Sequence, residues 1–117
     1  MVESDSPLSI EEINRIDSTG LSSIDRHHLR LIAHSLACFK SISNGSNSGP
    51  FPKENERLKW LLAQPALNNQ KTFVYDLLDQ LARAALLLER MADQFNISPL
   101  ELTLEDLIQF RLRSISN

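Results

Sequence analysis

Apolar residues recur along this chain at intervals of three and four positions, and nowhere alternate with polar ones long enough to build a strand. The pattern predicts an all-α protein, a four- or five-helix bundle forming one domain over residues 1–117. A first helix, about Ser9 to Asp17, sets Ile10, Ile13 and Ile16 on one side. A second, about Ser23 to Ser43, carries Ile24, Leu31, Ile32, Leu36, Phe39 and Ile42 on a broad stripe. A third, about Lys53 to Ala63, offers Leu58, Trp60, Leu61 and Leu62. The fourth, about residues 69–95, is the centre of the bundle. There Phe73, Val74, Leu77, Leu78, Leu81, Ala84, Ala85, Leu88, Met91, Ala92 and Phe95 fall within an arc of about 140° at roughly 100° per residue. A fifth segment runs through Leu100, Leu102, Leu104, Leu107, Ile108, Leu112 and Ile115, with Thr103 dividing a turn from a final helix.

The ends of these segments carry their own signals. Ser9 with Glu12, Ser22 with Asp25, Ser98 with Glu101 and Thr103 with Asp106 all have the spacing of a capping box. Pro7 and Pro99 suit a first helical turn, Gly20 and Asn96 a left-handed position after a helix, and Pro65 breaks the third helix. Residues 43–52, rich in Ser, Asn and Gly, predict a flexible loop with nothing to bury. The acidic tip at residues 1–6 is expected to be disordered.

Composition narrows the class. A length of 117 residues suffices for one core without disulfides or metals, and the single Cys38 fits a reducing, cytoplasmic setting. The longest apolar run, Ala84 to Leu88, is far short of the ~20 residues that cross a bilayer, and the acidic N-terminus is unlike a secretory signal. A net charge of −3 makes nucleic acid an unpromising partner. That charge is segregated: residues 1–25 carry −5 and residues 26–60 carry +4, a split that either neutralises itself or recruits a partner.

Catalytic, cofactor and metal sites are not expected. His34 and Cys38 share one side of the second helix, with His27 about 10 Å further along, too far for the ~2 Å reach of one zinc ion. His28 falls near the middle of the apolar stripe and is expected to be a satisfied core or boundary histidine. Glycines are isolated, so no phosphate cradle exists. Residues 88–113 can be laid on a helix-turn-helix frame, with Ala92 at the helix crossing and Asn96 in the turn. The would-be recognition helix then presents Glu101, Glu105 and Asp106, which phosphates repel.

Surplus hydrophobicity is the remaining anomaly. Tyr75, Ala82 and Leu86 lie opposite the core stripe of the fourth helix, with Leu87 also off it, and Leu107 and Phe110 depart from the direction of Leu104, Ile108 and Ile115. Tyr75, Ala82, Leu86 and Phe110 are therefore the candidate interaction surface, for a protein partner or for a second copy in a homodimer. The expected function is that of a non-catalytic regulatory or adaptor protein working through helix-surface contacts. The alternative is a small DNA-binding transcriptional regulator using residues 88–113.

Overall fold

A computed structural model describes residues 8–67 and 70–116, and the expectations for residues 1–6, Pro7 and residue 69 fall outside them. The described chain is helical throughout: α1 (Ile10–Asp17), α2 (Ser23–Ile42), α3 (Glu54–Leu62), α4 (Lys71–Gln94) and α5 (Leu104–Ser116). Two 3-10 turns, Pro65–Leu67 and Pro99–Glu101, precede α4 and α5. One core cluster joins all five helices, with α4 packed on both α2 and α3.

The helix ends form where the local chemistry directs. Ser9 Oγ accepts from the Glu12 amide at 3.1 Å, and the Glu12 carboxylate accepts from the Ser9 amide at 3.0 Å. Thr103 and Asp106 exchange the same two bonds at the start of α5, and Ser98 donates its amide to Glu101 at 2.7 Å. Ser22 caps α2 from its side chain, but Asp25 accepts from the Ser22 hydroxyl at 3.0 Å and not from its amide, so the box is incomplete, and Arg111 holds the other oxygen of the Asp25 carboxylate. After α4, Asn96 takes a left-handed φ of 58°, and the Ile97 amide returns to the Ala92 carbonyl at 3.0 Å. Asn44 (φ 58°) closes α2 in the same way.

Burial corrects several sequence expectations. On α2 the core face is Leu29, Ile32, Ala33, Leu36 and Phe39, while Ile24 and Leu31 stand exposed. His28, expected in the core or at its boundary, is exposed as well. The predicted stripe is wider than the covered face: at 100° per residue Ile24 and Leu31 lie well round the helix from Leu36, on a side of α2 that stays in solvent. Ile10 and Phe73 are exposed at the first turns of α1 and α4, Phe73 although it shares the direction of the buried Met91 on α4. Leu107, thought to leave the core direction of α5, is fully buried beside Ile108.

The 43–52 segment divides. Residues 44–48 are exposed, but Phe51 and Pro52 are buried, so the expectation of nothing to bury fails at its end. Phe51 stacks on Phe39 with ring centroids 4.5 Å apart. Gly49 donates to Ser98 Oγ at 2.9 Å and accepts from the Leu100 amide at 3.0 Å, tying the loop to the turn before α5. Residues 88–113 do not form a helix-turn-helix: nine residues separate α4 from α5, against the 3–4 of that motif, and its recognition helix is a 3-10 turn followed by α5.

Candidate functional site

The outer face of α4 carries three of the four candidate residues. Tyr75, Ala82 and Leu86 stand at i, i+7 and i+11, within about 40° of one another on a continuous helix. Tyr75 is 58% and Leu86 62% exposed, and Ala82 between them is half-buried. Charged residues flank this line. Asp79 and Arg83 pair at 3.1 Å on one side, and Lys71 and Glu89 stand exposed on the other. A solvated i, i+4 pair adds only about 0.3–0.5 kcal/mol to the helix, so these side chains are free to exchange partners.

Phe110 is not on that face. It lies half-buried on α5, edge-on to Phe95 with centroids 6.5 Å apart, while the Arg113 guanidinium covers Phe95 at 5.4 Å. It borders a recess of about 50 Å³ between α2, α4 and α5, lined also by His28, Leu29, Ile32, Leu87, Met91 and Arg111. Two ion pairs hold α5 against this side of the bundle. Arg111 meets Asp25 at the start of α2, and Arg15 of α1 meets Glu105 at 2.7 and 3.0 Å. The Arg111 guanidinium, then the Ser22 hydroxyl, holds the Asp25 carboxyl below the usual carboxylate range. Neither pair joins the acidic leader to the basic middle of the chain, as the charge segregation had suggested.

Above the recess, the first half of α2 offers a second apolar surface. Ile24 (82% exposed) and Leu31 share one side of the helix with the exposed His27 and His28. Further along, α3, the end of the loop and the turn before α5 close over α2, and even Ser35 and Cys38 are buried. Cys38 Sγ lies 3.8 Å from His34 Nδ1. Burial pushes the thiol up to about 11 and lowers the His34 imidazole, so at neutral pH this is a protonated thiol beside a neutral ring. Among the described residues no three His, Cys, Asp or Glu side chains converge as metal ligands.

A larger cleft, about 250 Å³, opens between α1, α2 and the start of α5. Ala33, Leu36, Ala37 and Leu104 form its apolar lining, with Glu12, Lys40 and Thr103 as its polar members. Lys40 donates to the Leu100 carbonyl at 2.9 Å, 60 positions away, and Glu12 is engaged in its cap, so both charges already have partners within the fold. The sequence carries only one sign of this cleft. Lys40 falls between the directions of Leu29 and Ala33 on α2, and a lysine inside an apolar arc was the signal available.

Fold and surface together describe a small helical scaffold with apolar residues grouped in solvent on α2 and α4, and with Ile10 of α1 and Leu62 of α3 exposed as well. Residues 8–115 match the family described as NDH complex assembly factor CRR9, and the chain belongs to that family. No curated protein and no solved structure matches it. No helix among the described residues is long and apolar enough to cross a membrane.

Proposed function

We propose that this protein is a non-catalytic assembly factor that acts on the NDH complex by holding protein subunits against its apolar helix surfaces. The family match over residues 8–115 carries the reading, because it spans every helix of the bundle. The surfaces it would use are Ile24 and Leu31 on α2 and Tyr75, Ala82 and Leu86 on α4, apolar groups held in water by a scaffold that does not need them. Phe110 contributes from the rim of the recess beside α2. No cofactor or metal enters this role. The free Cys38 fits a reducing compartment, in keeping with the cytoplasmic setting expected from the sequence. A DNA-binding role through residues 88–113 has less support, since the first turn of α5 carries Glu105 and Asp106, which phosphates repel.

Deleting the protein tests the reading: the mature NDH complex should fall while its subunits continue to be made. Restoring the chain with Ile24→Glu and Leu31→Glu should not recover the complex, although the variant folds. Normal levels of complex in the deletion would overturn the proposal.

A further inference from the structure

The outer face of α4 is complementary to itself. Tyr75 and Leu86 lie on its centre line, Lys71 and Glu89 about 40° to one side, and Asp79 and Arg83 together on the other. Each of these three pairs is centred on the peptide between Gln80 and Leu81 to within about a residue. A two-fold axis at that point, perpendicular to the helix, reverses the direction of a second α4 and keeps each flank opposite the same flank. Tyr75 then meets Leu86 of the second copy, Lys71 meets Glu89, and Arg83 reaches Asp79 across the contact as well as within its own helix. Ala82, next to the axis, provides the small side chain that lets two helices approach.

We propose that this protein forms a two-fold homodimer through antiparallel packing of the outer faces of α4. The occupant is a second copy rather than another protein because both apolar and charged positions already have their partners in the same sequence, the condition for an isologous contact. A parallel pairing fails the same condition, since it sets Tyr75 on Tyr75 and Leu86 on Leu86 and brings each flank against the opposite one, where Lys71 and Glu89 find no partner at their own level. Tyr75 suits the contact by presenting a large amphipathic ring at low entropic cost. One pair of 24-residue helices covers less than the ~800 Å² per partner of a standard stable interface, so the association is reversible. The inference rests on α4's outer face being a contact surface and is independent of the role in NDH assembly, which the deletion experiment tests separately.

Sedimentation equilibrium of the full chain, from low micromolar to near-millimolar concentration, tests it. The average mass should climb from 13.3 kDa toward twice that value. Leu86→Glu should hold the protein at the monomer mass with an unchanged circular dichroism spectrum, because that side chain is outside the core. Lys71→Glu and Glu89→Lys, each alone, should weaken association on the order of tenfold by setting like charges together on one flank. Mixed in equal amounts, those two variants should recover the wild-type affinity as a heterodimer. A wild-type mass of 13.3 kDa across the whole range would overturn the proposal and leave the face to a different protein. A dimer indifferent to Leu86→Glu would place the contact elsewhere, and failure of the mixed variants to recover would overturn the antiparallel register.

Discussion

The two faces of α4 are made of similar material and have opposite fates. Its inner face buries Val74, Leu78, Leu81, Leu88 and Met91 against α2, α3 and the turn before α5. Its outer face holds Leu86 and Tyr75 in solvent on the same turns. Leu86 and Leu88 are two residues apart, one 62% exposed and the other fully buried. Hydrophobicity decides that a side chain gains from cover, roughly 25 cal/mol per Å² of apolar surface. Whether cover exists depends on what the rest of the chain brings to that side. The difference makes the inner face the source of stability and the outer face available for contacts.

The largest test of this comparison is on the inner face. Leu88→Ala should lower stability by about 2–5 kcal/mol, because fully buried leucines leave a cavity that the bundle only partly refills. A chemical-denaturation midpoint that stays in place would show the inner face to be misassigned. Next is the cover itself: Phe51→Ala should cost about 3 kcal/mol through loss of its stack on Phe39, although its segment looks dispensable in composition. Substituting glycine-serine for residues 44–48 should leave the midpoint unchanged and keep that stretch the first site cut by a protease.

Smaller effects probe the ends of the helices. Asn96→Ala should cost about 1–2 kcal/mol, since φ of 58° suits asparagine or glycine and strains alanine. Asn96→Gly, measured by thermal melting, should stay near the wild type. Acid acts on α5 through Asp25, whose carboxyl is held low chiefly by Arg111, and on the turn before it through Glu101, held low by Ser98. A carboxyl with a depressed folded pKa stabilises fully above its unfolded value and loses that contribution as pH falls through the folded one. The urea midpoint should therefore decline from about pH 5 toward pH 3, and Asp25→Asn should flatten part of that decline. The smallest effect belongs to the outer face, where Leu86→Ala should change monomer stability by no more than about 0.5 kcal/mol.

Much of this was legible because helices are local objects. The five helices follow from apolar periodicity, and three of the four serine or threonine boxes form as their spacing implies. Ser22 shows where locality ends: its partner Asp25 keeps the Ser22 hydroxyl on one carboxylate oxygen and takes Arg111, 86 positions along the chain, on the other. The candidate surface divided on the same ground. Tyr75, Ala82 and Leu86 share one straight helix, so their common face follows from 3.6 residues per turn. Phe110 sits on another helix, and its place beside Phe95 depends on how α5 docks.

The sequence by itself determined which segments are helical, where they stop, and which side of α4 turns inward, because amide-to-carbonyl bonds four residues apart and caps three apart never leave their own segment. Only the tertiary structure decided that Leu107 is buried while Ile24, Leu31 and His28 are not, and that Phe51 belongs to the core. Those outcomes come from packing between residues distant in the chain, as the contacts of Gly49 with Leu100, Lys40 with Leu100 and Phe51 with Phe39 illustrate. A helix's apolar arc states where cover would be favourable; the docking of the other helices determines where it is supplied, and an arc wider than the available neighbours leaves its edges in water.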